Sequence, residues 1–261
     1  MKTGYQAVLA DLDGTVNRGR TLIPGADSAY KSLSERGIRW LFLSNNATTL
    51  PSDLASRITN LGIPVSADQV ITSASALIYN LSRDYREARV SVIGEPRLIE
   101  GIEAAGIQVV EEPFEVDIVV VSRDTGFTFD KLRKAHIAIQ NGALFWATNP
   151  DVTFPVPDGL EPGAGAIVAA VAAVAGRPAD RVFGKPSADM AEMALKLLNL
   201  PKSSCLVVGD RMETDILFAR NAGIDSALVL TGVTAKDDLK KYSFSPDYVV
   251  DGIAEITSLF D

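Results

Sequence analysis

Residues 7–15 read Ala7-Val8-Leu9-Ala10-Asp11-Leu12-Asp13-Gly14-Thr15. The four apolar residues predict a buried β-strand, and the two carboxylates that follow lie on a turn that Gly14 permits. Carboxylates this close cannot both ionise cheaply, so either one keeps a proton or a hard cation such as Mg2+ binds between them. An Asx-rich turn that merely ends a strand is an equal alternative for this stretch alone.

Three further segments place polar side chains at the ends of apolar runs or before a helix. Ser44-Asn45-Asn46 ends the run that starts at Trp40, Gly184-Lys185-Pro186 precedes a predicted helix, and Gly209-Asp210 follows another apolar run. Each segment alone has a turn or packing explanation. In open parallel sheets, however, the loops at the carboxyl ends of the strands form the ligand crevice, so the segments are expected to converge.

In this order the segments resemble the motifs of the haloacid dehalogenase-like superfamily of phosphohydrolases. Asp11-x-Asp13-Gly14-Thr15 is similar to the first motif, Ser44 to the second, Lys185 to the third and Gly209-Asp210-x4-Asp215 to the fourth. Four segments also resemble the NagD-like, 4-nitrophenylphosphatase subgroup: Ser44-Asn45-Asn46-Ala47-Thr48, Thr148-Asn149-Pro150-Asp151, Pro162-Gly163-Ala164-Gly165 and Gly184-Lys185-Pro186. The resemblance covers the whole chain.

The resemblance implies a covalent mechanism with two catalytic carboxylates. Asp11 would attack the phosphorus of a phosphomonoester to give an aspartyl-phosphate. Asp13 would protonate the leaving oxygen and then take a proton from the water that hydrolyses the intermediate. Mg2+ held by Asp11, the backbone carbonyl of Asp13 and Asp210 would offset the repulsion between nucleophile and phosphate.

The resemblance also implies which groups hold the phosphate. Ser44, the backbone amide of Asn45 and Lys185 would contact the phosphoryl oxygens, and Asn46 is a further candidate for substrate binding. Asp215 is expected to orient the water shell of the metal or Lys185 rather than to bind the metal directly.

The composition excludes several other classes of protein. With one histidine, His136, and one cysteine, Cys205, the chain lacks the residues for a structural zinc site, and no nucleophile elbow accompanies the histidine. A net charge of -8 argues against nucleic-acid and anionic-membrane partners. The longest apolar stretch, 164–175, is too short to span a bilayer. One cysteine permits no internal disulfide, which fits the predicted cytoplasmic location.

The interval between Ser44 and Lys185 is far longer than one crossover requires, so the sequence predicts a second domain inside it. Its pattern predicts alternating strands and helices, with strands at 89–94, 107–110, 116–122 and 143–147 and helices at 97–105, 129–141 and 165–175. The predicted fold is α/β: a Rossmann-like parallel-sheet core with helices on both faces, formed by residues 1–77 and 181–261, plus an inserted α/β domain over residues 78–180. The resemblance identifies the insertion as a cap of the second class, which would close over the site and supply substrate contacts.

One internal similarity leaves a choice open. Residues 142–149 echo residues 37–45, since each stretch runs from a glycine through an apolar run to a polar pair. Either Ser44 or Thr148 could therefore be the residue at a strand end that binds phosphate. Ser44 is preferred, because Thr148 would leave only a short interval before Lys185.

The predicted function is Mg2+-dependent hydrolysis of small phosphorylated metabolites: sugar phosphates, nucleoside monophosphates or aryl phosphates. Asp13 argues against dehalogenation, because a departing halide needs no proton donor whereas an alkoxide does. A phosphotransferase that uses the same aspartyl-phosphate and a non-catalytic phosphometabolite-binding regulator remain alternatives. A homo-oligomer is also possible, through an exposed strand edge of the inserted domain.

Overall fold

The computed structural model describes residues 4–156 and 159–261 and divides the chain into two compact units. The core unit contains the residues up to Ser44 together with 51–71 and 185–261, and the inserted unit contains 45–50 and 72–184. The sequence predicts the insertion at 78–180, and residue 78 lies within a helix of the inserted unit. The chain passes between the units just before this helix and again between residues 184 and 185.

The core unit is built on a six-stranded sheet, whose strands are β1 (Ala7–Asp11), β4 (Arg39–Ser44), β5 (Val70–Thr72), β13 (Cys205–Gly209), β14 (Asp225–Val229) and β15 (Tyr248–Val250). Their order across the sheet is β15-β14-β13-β1-β4-β5. The pairings from β15 through β4 are all parallel. Consecutive residues of β1 and β13 are buried, so both faces of this sheet are covered. The predicted Rossmann-like core is therefore confirmed.

Helices and short helical turns cover the sheet of the core unit. The α-helices are α1 (Ala26–Glu35), α2 (Pro51–Asn60), α7 (Asp189–Leu198) and α8 (Leu217–Ala222). A π-helix spans Met212–Ile216, and 3-10 helices span Ala67–Gln69, Lys202–Ser204, Lys236–Lys241 and Ile253–Phe260. A small antiparallel hairpin, β2 (Asn17–Arg18) and β3 (Thr21–Leu22), follows β1 directly.

The inserted unit contains a five-stranded parallel sheet, whose strands are β6 (Arg89–Ile93), β7 (Gln108–Val109), β8 (Ile118–Val121), β9 (Leu144–Ala147) and β12 (Arg181–Val182). Their order across the sheet is β12-β9-β8-β6-β7. Its helices are α3 (Ser73–Asp84), α4 (Pro96–Ala104), α5 (Phe129–Gln140) and α6 (Ala164–Ala175), with a 3-10 helix at Pro113–Glu115. The predicted α/β character of the insertion is confirmed.

A second hairpin in the inserted unit is not predicted from the sequence. Strands β10 (Thr153–Val156) and β11 (Gly159–Pro162) pair antiparallel. Pro155 and Pro162 lie in these strands, and proline is depleted in strands except at edges, so the pattern favours a turn. A separate two-stranded hairpin tolerates them because each of its strands is an edge.

Among the residues that the structure describes, no helix is both long enough and apolar enough to cross a bilayer.

Candidate active site

The strand order of the core unit brings the ends of β1, β4 and β13 together. From β1 the chain moves to β4 on one side, and β13 later pairs on the other side, so the order of the sheet reverses at β1. Asp11 pairs with Leu43, which places Ser44 one residue beyond it, and Asp210 follows the last residue of β13. Such a reversal point is where open parallel sheets form their ligand crevice.

Lys185 links two of the predicted carboxylates. Its Nζ donates hydrogen bonds to Asp11 Oδ1 and to Asp215 Oδ1, the latter at 2.7 Å, although these residues lie on different elements of the core unit. Its side chain is only 4% exposed. Burial opposes a charge on Lys185, but the two carboxylates outweigh it and raise the pKa of the ammonium group. Lys185 is therefore a fixed cation.

Three carboxylates surround this lysine. One oxygen from each of Asp11, Asp210 and Asp215 lies within 4.8 Å of the other two. Burial raises the pKa of Asp11 well above its ordinary value, with Asp215 and Asp210 acting in the same direction while Lys185 opposes them. Burial and the neighbouring Asp215 likewise raise the pKa of Asp210. The three carboxylates can carry more negative charge than the single ammonium group of Lys185 balances. Such a cluster of oxygen ligands suits a hard divalent cation.

Asp215 and Asp210 differ in how the chain holds them. Asp215 Oδ1 accepts from Lys185, and its Oδ2 accepts the backbone N–H of Arg211 at 3.1 Å. Both oxygens of Asp215 are thus engaged with the protein. Asp210 Oδ2 accepts the backbone N–H of Val233 at 2.7 Å. This arrangement favours Asp210 over Asp215 as a direct metal ligand.

Glycines make room for these carboxylates. A Cβ on Gly14, whose φ is +102°, would lie 2.7 Å from Asp210 Cγ, and a Cβ on Gly232 would lie 1.9 Å from Asp210 Oδ2. A Cβ on Gly209 would lie 2.2 Å from Asp215 Cβ. Gly232 is the least predictable of these from the sequence, because it is 22 residues from Asp210 along the chain and belongs to no motif.

Asp13 lies on the turn after β1, and its side chain is 55% exposed. Its Oδ1 accepts a hydrogen bond from Asn17 Nδ2 at 2.9 Å, and its Oδ2 lies 3.9 Å from Arg57 Nη2. Neither Asn17 nor Arg57 is predicted from the sequence as a site residue. The sequence gives one indication that Asn17 could contact Asp13: it lies four residues after Asp13, within the same turn.

Asn45 and Asn46 belong to the inserted unit. Asn45 Nδ2 donates to Asp151 Oδ2 at 3.0 Å, and the carbonyl oxygen of Asn45 accepts from Asn149 Nδ2 at 2.9 Å. Asn46 Oδ1 accepts the N–H groups of Thr48 and Thr49 at 2.8 and 3.0 Å. The side-chain oxygen of Asn46 therefore shapes the turn before α2.

Thr148, the alternative phosphate-binding residue, also belongs to the inserted unit. It follows β9, is fully buried, and its Oγ1 donates to Ser122 Oγ at 3.0 Å. Ser44 instead ends a strand of the sheet that carries Asp11.

Two family models match the chain. Residues 8–108 match the model of haloacid dehalogenase-like hydrolases, and residues 182–256 match a second model described as HAD-hydrolase-like. The first range includes Asp11, Asp13 and Ser44, and the second includes Lys185 and Asp210. The two matches therefore contain the clustered side chains of the core unit.

Proteins of known name or structure are similar along the whole chain. Sugar-phosphatase AraL from Bacillus subtilis is 36% identical over 252 residues, which cover 97% of this chain and 92% of that protein. The structure of 4-nitrophenylphosphatase from Thermotoga maritima has a TM-score of 0.92 at 33% identity and covers 98% of both chains. NagD from E. coli K-12 has a TM-score of 0.89 at 30% identity, covering 97% of this chain and 99% of that one.

Proposed function

This chain belongs to the haloacid dehalogenase-like hydrolases and is a phosphatase for small phosphorylated compounds, and from this premise we propose that it hydrolyses phosphomonoesters through an aspartyl-phosphate on Asp11. The observation that carries the proposal is the placement of Asp11 against the buried ammonium of Lys185, with Asp210 and Asp215 in the same cluster. A carboxylate held at the crevice of a parallel sheet is placed to attack phosphorus.

Asp11 and Asp13 divide the chemistry between them. A carboxylate oxygen of Asp11 bonds to phosphorus while the bond from phosphorus to the leaving oxygen breaks. Asp13, half-exposed on the adjoining turn, gives its proton to that oxygen and later accepts a proton from the attacking water. Phosphate then departs, and both carboxylates return to their starting states.

Lys185, Ser44 and the backbone amide of Asn45 are the proposed phosphate-holding groups. Lys185 supplies a positive charge whose position is fixed by two carboxylates, so it needs no reorganisation when phosphate arrives. Ser44 ends β4 beside the Asp11 strand, and Asn45 follows it in the chain. Asn46 contributes by holding the loop in shape, since its side-chain oxygen accepts from Thr48 and Thr49.

The metal proposed for this site is Mg2+, and the donor set fits it. Asp11, Asp210 and the backbone carbonyl of Asp13 would hold the ion, which supplies positive charge that offsets the repulsion between nucleophile and phosphate. Asp215, engaged by Lys185 and by the Arg211 amide, orients the lysine.

The proposed substrates are small phosphorylated metabolites with a polar organic group, in the cytoplasm. We propose that the inserted unit serves as the cap domain, and it contains a cavity of about 770 Å3 of its own. The residues that line this cavity are mostly charged or hydroxylated: Thr48, Glu95, Pro96, Arg97, Glu100, Arg123 and Thr125. Among the similar proteins, a sugar phosphatase and a 5'-nucleotidase support sugar phosphates and nucleoside monophosphates as substrates.

The test is phosphate release from a panel of phosphomonoesters, with Mg2+ or with EDTA, by the wild-type protein and by Asp11→Asn. The proposal expects turnover that requires Mg2+ and falls by at least about 10³-fold in the variant, with sugar and nucleoside phosphates ranking above aryl esters. Asp11→Asn turnover close to that of the wild type would reject Asp11 as the nucleophile.

A further inference from the structure

Asn17 is a buried side chain that the mechanism described above does not use. It begins the hairpin that follows the catalytic turn, and it is completely buried. Its Nδ2 donates to Asp13 Oδ1 at 2.9 Å and to the carbonyl oxygen of Gly19 at 3.1 Å. A single amide group thus joins the carboxylate of Asp13 to the hairpin.

The chemistry of the neighbours fixes the orientation of this amide. A carbonyl oxygen and a carboxylate oxygen both accept hydrogen bonds, so the NH2 group of Asn17 must face them. The opposite orientation would bring the oxygen of Asn17 against two other oxygens. Among the described residues no donor reaches Asn17 Oδ1, although it is buried. Keeping an unpaired buried acceptor costs stability, so the amide at this position has a use other than packing.

The backbone holds Asn17 at a fixed distance from Asp13. The N–H of Asn17 donates to the carbonyl oxygen of Leu12 at 3.0 Å, and the N–H of Gly14 donates to the carbonyl oxygen of Asn17 at 2.8 Å. These two bonds close the turn on both sides of Asp13. The contact between the two side chains is therefore built into the turn.

The two oxygens of Asp13 consequently differ. Asp13 Oδ1 accepts a hydrogen bond from the amide of Asn17. An oxygen that accepts this bond does not direct a proton of its own toward the same donor. Oδ2 lies 3.9 Å from Arg57 Nη2, which is beyond hydrogen-bonding distance. Oδ2 is therefore the oxygen of Asp13 that is left available for proton transfer.

We propose that Asn17 is the positioning residue of the general acid Asp13: it holds Oδ1 and so presents Oδ2 as the oxygen that delivers and recovers the proton. This inference rests on the proposed function. As the bond from phosphorus to the leaving oxygen breaks, its electron pair stays on that oxygen, which takes the proton from Oδ2 of Asp13. In the second step Oδ2 accepts a proton from water as the water oxygen bonds to phosphorus and the bond from phosphorus to Asp11 breaks.

The test compares substrates whose leaving groups differ in their need for a proton. 4-Nitrophenol departs readily as an anion, whereas an alkoxide requires protonation, so a misplaced acid slows alkyl phosphates selectively. The variant Asn17→Leu replaces the amide with an apolar group of similar branched shape, and Asn17→Ala serves as a second variant should the larger leucine not fit. For each protein the ratio of kcat/KM for an alkyl phosphate to that for 4-nitrophenyl phosphate is measured. A smaller folded fraction lowers both values equally and leaves the ratio unchanged.

We expect the ratio to fall about 10-fold or more in both Asn17 variants, since general acid catalysis contributes at least about 100-fold and a positioning residue retains part of it. Asp13→Asn should lower the ratio further. Thr21→Ala, an exposed position on the same hairpin, is the matched control and should leave the ratio unchanged.

A fall in the ratio for Asp13→Asn but not for either Asn17 variant would overturn this inference alone. If Asp13→Asn itself leaves the ratio unchanged, the assignment of Asp13 as the acid fails, and the role of Asn17 fails with it.

Discussion

Lys185 Nζ lies 2.7 Å from Asp215 Oδ1, and both side chains are almost completely buried. The lysine stands in the loop before α7 and the aspartate in the π-helix after β13, so this contact ties two of the loops that form the crevice. The same lysine donates to Asp11. Asp215 therefore helps to fix where the ammonium group points relative to Asp11.

Asp215→Asn is expected to lower kcat/KM about 10- to 100-fold, because the lysine loses one of the two charges that orient it. Steady-state kinetics with a Mg2+ titration measure this effect. If Asp215 acts through the lysine, saturating Mg2+ will not restore activity. Recovery of wild-type activity at high Mg2+ would instead make Asp215 a metal ligand.

Lys185→Met is expected to reduce the free energy of unfolding by about 3 kcal/mol or more in EDTA, because buried carboxylates lose their cation. Added Mg2+ should recover part of this loss by supplying positive charge to the same carboxylates. Urea denaturation with and without Mg2+ measures both effects. Lys240→Met, at an exposed lysine, is the control and should change stability by less than about 0.5 kcal/mol. Unchanged stability of Lys185→Met in EDTA would contradict the buried charge cluster.

Gly232→Ala is expected to weaken Mg2+ binding, because the added Cβ would lie 1.9 Å from Asp210 Oδ2 and must displace that carboxylate. Calorimetric titration with Mg2+ should show affinity reduced by about 10-fold or more. Gly252→Ala is the matched control, since its Cβ would meet Thr231 Cγ2 at an ordinary 3.5 Å. Equal Mg2+ affinity in the two variants would show that Asp210 does not hold the ion.

Asp180 gives the inserted unit a pH-dependent contribution to stability. Burial alone would raise the pKa of this carboxyl, but hydrogen bonds from Arg177 and from the backbone N–H of Phe145 outweigh it and lower the pKa. A group whose pKa is lower in the folded state stabilises the protein above its unfolded pKa, which is about 3.9, and loses that effect as the pH falls through the folded pKa.

Asp180→Asn is accordingly expected to cost less than about 1 kcal/mol near neutral pH, because solvent screens the partly exposed pair with Arg177, and the difference from the wild type should shrink as the pH is lowered below about 4. Thermal denaturation of both proteins across this pH range measures it. A difference that stays constant or grows with acidity would contradict the lowered pKa.

Much of the fold is predictable because its elements have strong local patterns. The apolar runs in β1 and β13 and the periodic helix α5 need no distant information, and their order implies parallel sheets. Helix α3 is harder to place, because it starts directly after a strand at Thr72, whose side chain caps it by accepting from the Ser75 N–H. The chain enters the inserted unit at this point without a loop that would indicate the boundary in the sequence.

In the candidate site, only the residues that belong to motifs can be predicted from the sequence. Asp11, Lys185 and Asp210 each stand at a strand end or before a helix, where chemistry-bearing residues of α/β folds are expected. Gly232 and Arg57 act through tertiary contacts with Asp210 and Asp13, and no sequence spacing encodes those contacts.

Asp11 is proposed to carry the phosphoryl group during turnover. The most direct measurement mixes the protein with Mg2+ and a phosphomonoester, quenches within one turnover and reduces the product with borohydride, which converts an aspartyl-phosphate to homoserine. Peptide mass spectrometry should then find homoserine at position 11, dependent on substrate. Rapid phosphate release with Asp11 unmodified at every quench time would contradict the account.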